Sequence, residues 1–216
     1  MGFKQRSKQI AIVGLSPSTH DDAPYNDPEW EIWGLPWDEG KYPHFNRLFE
    51  MHPLELLRKP EAHRPPGYED RLRNLDSTLY MQEEYEDIPN ASRYPIENVT
   101  NFIGDDYFNS SISYLLGLAI LECLMKYYQT SWSTTGKIGI WGVDMADLEP
   151  QPGDLSYVSE FAYQRPNMEY LIGYARGRGI EVYIPPESPL TKFHGEGIPL
   201  GEMYPSYPTR YGYLGK

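Results

Sequence analysis

Hydroxyl side chains follow directly on the first apolar segment of the chain. Residues 10–14 are small and apolar without alternation, which predicts a short strand covered on both faces of a sheet. The turn after it carries Ser16, Pro17 and Ser18, where the first strand-to-helix turn of an α/β fold contacts a phosphate or nucleotide. The alternative is an ordinary helix cap. The turn matches neither G-x-G-x-x-G nor G-x-x-x-x-G-K-[ST], so it indicates neither dinucleotide nor P-loop chemistry.

Two further groups are predicted at the same edge of the sheet. Ser110 and Ser111 precede an apolar segment with helical periodicity, so they would lie at a helix N-terminus, where they either cap the helix or contact an anion. Asp144 follows the apolar segment 137–143, and a carboxylate after a buried strand is well placed for a ribose hydroxyl. The alternative for Asp144 is that it caps the following turn.

Three more residues carry chemistry that a nucleotide-binding enzyme can use. Tyr163 and Arg165 lie near the start of the last predicted helix, where a hydroxyl, a guanidinium and backbone amides can bind phosphate together, or can simply form a solvated helix start. His52 ends a predicted strand, and a histidine there can titrate near neutrality and act as the catalytic base. The alternative for His52 is that it only ends the strand before Pro53.

The residue spacing predicts no metal site and no obligatory cofactor. Residues 20–22, His-Asp-Asp, could hold a divalent ion, but a solvated polar turn is the expected structure. Zinc-ligand spacing and a Ser-His-Asp order are both missing from the sequence. Cys123 is the single cysteine and lies within an apolar helical segment, so we expect a small core residue in a reducing interior.

The elements that position these residues follow from the apolar pattern. Strands are predicted at 10–14, 29–35, 47–52, 78–81, 137–143 and 180–184, and helices at 54–57, 68–74, 95–104, 110–127 and 160–178. Pro166 either kinks the last helix or occupies its first position. This order predicts the α/β class: a single Rossmann-like domain over residues 1–192, with a mostly parallel sheet and helices on both faces. Residues 193–216 are rich in Tyr, Pro and Gly and are predicted to be an irregular C-terminal arm, through which the chain could form a homo-oligomer.

The composition excludes several classes of partner. The formal net charge of -12 argues against a broad surface for duplex DNA, although a local basic pocket for one nucleotide is compatible with it. The sequence carries no signal peptide pattern and no apolar segment long enough to span a membrane. We therefore expect a cytoplasmic protein without a membrane partner.

Three segments together resemble a known group of proteins. They are GLSPS after the first strand, FNSSISYLLGLAI followed by IGIWGVDMA, and NMEYLIGYARGRGIEVYIPPESPL. Over roughly residues 9–20 and 108–190, the chain resembles the bacterial sialyltransferases of glycosyltransferase family 42 and the related motility-accessory-factor-like and pterin-diphosphokinase-like Rossmann proteins. It also resembles uncharacterised proteins of tailed phages, and a phage-encoded protein would be located in the host cytoplasm.

The resemblance implies a nucleotide-activated sugar as co-substrate, bound without an obligatory metal. Ser16, Pro17 and Ser18 would lie at the donor nucleotide, and Ser110 and Ser111 would contact it from the helix N-terminus. Asp144 would lie at its ribose or base end.

Two departures bear on catalysis. Leu15 stands where the group has an asparagine, and residues 157–165, at the start of the last predicted helix, lack the histidine that the group has there. The sequence therefore favours a glycosyltransferase-like transferase whose acceptor is unknown. The alternatives are a non-catalytic nucleotide-binding or virion-accessory phage protein and a phosphotransferase.

Overall fold

A seven-stranded sheet forms the centre of the protein. The computed structural model describes residues 8–38, 44–59, 64–129, 135–145 and 160–191. The strands are β1 (Gln9–Val13), β2 (Glu31–Gly34), β3 (Arg47–Glu50), β4 (Thr78–Met81), β5 (Ala91–Arg93), β6 (Lys137–Trp141) and β7 (Glu181–Tyr183). The helices are α1 (Leu54–Leu57), α2 (Tyr68–Arg73), α3 (Ile96–Ile103), α4 (Ser111–Gln129) and α5 (Phe161–Gly177), with two 3-10 segments at His20–Asp22 and Pro36–Asp38.

The strand order is β5-β4-β3-β2-β1-β6-β7, and every neighbouring pair is parallel. This arrangement confirms the predicted α/β class with a Rossmann-like parallel sheet. β1 lies inside the sheet between β2 and β6, and Ile12 is in register with Trp33 of β2 and Ile140 of β6. This interior position explains why apolar and polar residues do not alternate along β1, because both faces of the strand are buried.

Helices cover the sheet on both faces, as the sequence predicts. Residues of α3, α4 and α5 pack with Ile10 and Ile12 on one face, and residues of α1 and α2 pack with Ala11 and Val13 on the other. α3 ends where predicted, at Gly104, whose φ of 82° is a left-handed C-cap that glycine adopts without strain. None of the helices in the described ranges is both long and apolar enough to cross a membrane.

Two features of the chain differ from the sequence predictions. β5 was not expected, because Ala91–Arg93 is short and polar and pairs with β4 at the sheet edge. β6 ends at Trp141, so Gly142 and Val143 belong to the loop that follows it. α5 begins at Phe161, and of the two positions predicted for Pro166 the structure has the one inside the helix. The predicted C-terminal arm, residues 193–216, lies outside the described residues.

Paired charges occupy the amino edge of the sheet. Arg47 Nε lies 2.6 Å from Glu31 Oε1, and Arg47 Nη1 lies 2.5 Å from Glu122 Oε1 on α4. Lys8 also contacts both carboxylates, and the Arg47 guanidinium lies 4.6 Å from the ring centroid of Trp33. These contacts tie α4 to the sheet at the edge opposite the carboxyl ends of the strands.

Candidate functional site

An open cleft of about 470 Å³ lies at the carboxyl edge of the sheet. Its walls come from the loops after β1, β2, β3 and β6 and from the starts of α4 and α5. The polar residues that line it are Ser16, His52, Arg64, Asn109, Ser110, Ser111, Asp144, Glu160 and Gln164. Parallel strands of an α/β sheet bind ligands at this edge, so the cleft is the candidate site.

The loops after β1 and β6 are joined through their backbones. The Gly14 amide donates to the Trp141 carbonyl at 2.9 Å, and the Ser16 amide donates to the Gly142 carbonyl at 2.8 Å. A β-carbon on Gly14 would lie only 2.4 Å from the Gly142 oxygen, and Gly142 has a φ of 60°. Both positions therefore need glycine, because the two backbones approach too closely for side chains.

Side chains complete the connection between these two loops. The Thr19 hydroxyl accepts from the Gly142 amide at 2.8 Å, and the Ser16 hydroxyl accepts from the Asp144 amide at 3.3 Å. The Ser18 hydroxyl donates to the Asp144 carboxylate. The amides of Ser16, Gly142 and Asp144 thus hold the two loops together. Because these amides are engaged, Ser16 and Asp144 offer the cleft mainly their side-chain oxygens.

His20 is buried beneath this pair of loops, which corrects the expectation of a solvated turn for this residue, whereas Asp21 and Asp22 are exposed as expected. Only 3% of the residue is exposed, and Nδ1 lies 2.5 Å from the Gly14 carbonyl oxygen. Since a carbonyl only accepts, Nδ1 carries the proton and donates it to Gly14. His20 therefore has a structural role in shaping the turn that follows β1.

The N-terminus of α4 forms the wall across from these loops. Ser110 is its cap: the Ser110 hydroxyl accepts from the Ser113 amide at 3.1 Å, and the Ser113 hydroxyl donates to the Ser110 carbonyl at 2.7 Å. Asn109 Nδ2 donates to the Tyr163 carbonyl at 2.7 Å, which fixes this turn against the start of α5. Ser110, Ser111 and Ile112, at the start of this 19-residue helix, line the cleft, and the N-terminus of a helix favours an anion.

His52 lies at the end of β3 in contact with a buried carboxylate. Its Nδ1 is 2.5 Å from Glu50 Oε1, and its side chain is 46% exposed, whereas that of Glu50 is 2% exposed. The Tyr68 hydroxyl donates to Glu50 Oε2 at 2.5 Å, and Arg64 Nη2 lies 3.6 Å from the same oxygen. His52 is thus joined to a network of buried polar groups beneath the cleft.

The network sets the protonation state of Glu50. Burial alone raises the pKa of a carboxyl group, but hydrogen bonds from His52 and Tyr68 and the positive charge of Arg64 outweigh it. The pKa of Glu50 is therefore lower than usual, and the group is ionised at neutral pH. Burial and the charge of Glu50 both raise the pKa of Tyr68, so its hydroxyl remains a donor.

Arg64 brings a positive charge to the cleft. Its guanidinium lies 4.4 Å from the ring centroid of Trp37 and 5.4 Å from that of Tyr68, and its side chain is 13% exposed. Stacking on two aromatic rings fixes the plane of the guanidinium and orients its donors. A guanidinium held in this way is a suitable group for a phosphate or carboxylate.

The structure brings together five of the residues singled out from the sequence. Ser16, Ser110, Ser111, Asp144 and His52 all line the cleft. The other four are absent from its lining: Pro17, Ser18, Tyr163 and Arg165.

Each of the two α5 residues has a different environment. The Tyr163 side chain is 59% exposed, and only its carbonyl takes part in the wall, through Asn109. Arg165 is 8% exposed, and its guanidinium contacts Glu169 Oε1 at 2.9 Å and the Pro189 carbonyl at 3.4 Å. Sequence reasoning thus placed the basic group of the cleft on α5, whereas Arg64 is the arginine that lines it.

Glu50 and Arg64 were missed by sequence reasoning. The signal for Glu50 was present, because residues two apart in a strand share a face and Glu50 is two before His52. No comparable signal existed for Arg64, since its position depends on packing against Trp37. Within the described ranges, no three His, Cys, Asp or Glu side chains are grouped so that they could hold a metal ion.

Comparisons with known proteins give one distant structural likeness. No protein family and no curated protein matches the sequence. The fold is similar to that of the sialyltransferase CstII from Campylobacter jejuni, solved in complex with the substrate analogue CMP-3FNeuAc. The TM-score is 0.44 at 12% sequence identity, over 82% of this chain and 79% of that one. This likeness identifies neither a family nor a site residue.

Proposed function

We propose that this protein is a glycosyltransferase-like enzyme that binds a nucleotide-activated sugar in the cleft at the carboxyl edge of the sheet. One observation carries the proposal: the cleft combines the N-terminus of a long helix, a fixed guanidinium, and a histidine paired with a buried carboxylate. The first two suit the phosphate of a nucleotide, and the third suits proton transfer from an acceptor hydroxyl.

Each wall then has a distinct role. The donor phosphate binds between the Ser110–Ser111 turn and Arg64, where helix amides and guanidinium both favour negative charge. The side chains of Ser16 and Asp144 meet the ribose, since a carboxylate accepts from sugar hydroxyls. His52 takes the proton of the acceptor hydroxyl as that oxygen attacks the anomeric carbon.

A binding experiment tests the proposal directly. CMP, UDP, GDP, ATP and their sugar conjugates are screened by thermal shift, and hits are measured by calorimetry. Arg64→Met is expected to weaken binding about 10- to 100-fold, because a charge-assisted hydrogen bond contributes about 1.5–3 kcal/mol. Arg93→Met is the matched control, since the Arg93 side chain is 57% exposed, pairs with Glu97 of α3 and is absent from the lining of the cleft. Failure of every nucleotide to bind refutes the proposal.

A second candidate is a nucleotide-binding protein without catalysis, such as a virion-accessory protein of a phage. The pairing of Ser18 with Asp144 favours it, because this contact already uses a carboxylate assigned to the ligand. Release of free nucleotide in the presence of sugar acceptors separates the two. Binding without turnover supports this second candidate, whereas turnover that is lost in His52→Asn with binding retained supports the transferase.

A further inference from the structure

The contact between Glu50 and His52 determines which ring nitrogen carries the proton. Nδ1 of His52 lies 2.5 Å from Glu50 Oε1, and lone pairs on both atoms would repel at this distance. Nδ1 therefore carries a hydrogen and donates it to the carboxylate. Arg64 Nη2, 2.9 Å from the same nitrogen, cannot then donate to it, and its charge acts on Glu50 Oε2 at 3.6 Å. The lone pair of a neutral His52 is on Nε2.

Glu50 itself is held in place on three sides. The Tyr68 hydroxyl donates to Oε2 at 2.5 Å, and the backbone amide of His52 donates to Oε1 at 3.2 Å. With Arg64 nearby, the carboxylate is ionised and has a fixed orientation. A carboxylate so fixed orients the ring it pairs with, while the half-exposed ring of His52 lines the cleft.

We infer that Glu50 is a positioning residue that holds His52 in the Nδ1–H form and leaves Nε2 as the proton acceptor of the cleft. The inference rests on the proposed transferase function. In that reaction the acceptor oxygen forms a bond to the anomeric carbon, and the bond from that carbon to the donor phosphate oxygen breaks. The phosphate leaves with the electron pair, and the acceptor proton moves to Nε2 of His52. Glu50 remains ionised and stabilises the imidazolium by charge.

Several charged or titratable groups act on this histidine. Glu50 and Arg64 contact the ring of His52, and Tyr68 contacts Glu50. Asp144 and Glu160 line the adjoining cleft. Among the described residues, Glu50 is the acceptor that lies within hydrogen-bond distance of the ring. Replacing Glu50 therefore separates the effect of its hydrogen bond on His52 from the electrostatic effect of the other charged groups in the cleft.

The test is NMR of the histidine side chains in the full chain, with His52 assigned through loss of its signals in His52→Asn. Nitrogen-15 shifts are expected to show the Nδ1–H form for neutral His52 in the wild type. In Glu50→Gln the fraction of neutral His52 in the Nδ1–H form is expected to fall, because the charged acceptor that favours this form is lost. Glu84→Gln, which removes an exposed carboxylate of the same type, is expected to leave that fraction unchanged. A neutral His52 protonated on Nε2 in the wild type, or an unchanged fraction of the Nδ1–H form in Glu50→Gln, overturns the inference.

Turnover supplies the second readout. Glu50→Gln is expected to lower kcat about 10²-fold with little change in KM, because His52 still lines the cleft but its Nε2 no longer faces the acceptor as the free lone pair. Glu50→Asp retains the negative charge on a shorter side chain, so its kcat is expected to lie between those of Glu50→Gln and the wild type. This variant keeps the test valid if Glu50→Gln folds poorly. Equal kcat in wild type and Glu50→Gln overturns the inference. Absence of nucleotide binding in the wild type refutes the proposed function and the proton-acceptor role together, while the NMR result still reports separately on whether Glu50 sets the ring.

Discussion

Substitution of Gly14 by alanine tests how the cleft is built. The new β-carbon would lie 2.4 Å from the Gly142 oxygen and 2.8 Å from Val143 Cγ2. Ordinary contact begins at 3.4 Å, so the facing loop must move by about 1 Å. The obstacle is backbone, which cannot turn aside as a flexible side chain can. Overpacking of this kind costs about 1–3 kcal/mol of unfolding free energy.

The assay is urea denaturation followed by circular dichroism, with thermal unfolding alongside. For a chain of this length, the expected loss lowers Tm by about 2–12 °C. Gly173→Ala is the matched control, because a β-carbon there meets nothing within 4 Å. Gly173 lies inside α5, where alanine is the better helix former, so the control is expected to gain about 0.4–1 kcal/mol.

The same substitution has a predicted effect on ligand binding. Movement of the Gly142 loop displaces Asp144, whose amide and carboxylate are held by Ser16 and Ser18. We therefore expect weaker nucleotide binding in Gly14→Ala than in Gly173→Ala. If Gly14→Ala is as stable as the wild type, the two loops do not pack backbone against backbone and the described cleft is wrong.

Two further predictions concern buried ionisable groups. Cys123 is fully buried, and burial raises the pKa of its thiol to about 12, so at pH 8 a thiol reagent is expected to react about 10³-fold more slowly with native than with urea-unfolded protein. Labelling at the unfolded rate in native buffer would contradict this burial. The pKa of Glu50 is lowered from 4.5 by folding, so its carboxylate stabilises the protein above that pH, and the contribution is lost as pH falls through the folded-state pKa. Glu50→Gln is expected to cost about 1–3 kcal/mol at pH 7 and less at pH 3, as measured by urea titration; an equal cost at both pH values would mean that the carboxylate is not ionised in the folded state.

The sheet and the main helices were predictable because their sequences carry strong local signals. β1 and β6 are unbroken apolar segments, and α4 repeats apolar residues at helical spacing. β5 has no such signal, because an exposed edge strand of three residues, Ala91–Arg93, buries no apolar face.

The candidate site was predictable only where it depends on topology. Parallel strands end at one edge, so Ser16, Asp144 and His52 could be placed together from the strand order alone. The contacts that set their chemistry are not local: Arg64 depends on an aromatic ring of another loop, and His20 is buried by a turn six residues earlier. The polarity of a residue in the sequence does not show whether the folded protein buries it.

The joined loops after β1 and β6 also have a consequence for folding kinetics. Their three side-chain hydrogen bonds join residues 123 to 128 positions apart in the chain. Such contacts form late, because more than half of the chain lies between the two loops and must be ordered before they meet. The strands from β2 to β5 lie on one side of β1 and are consecutive in sequence, so they can pair earlier. Hydrogen exchange during refolding is therefore expected to protect the amides of β3 and β4 before those of Ser16 and Gly142, with the binding cleft as the last part of the molecule to be completed.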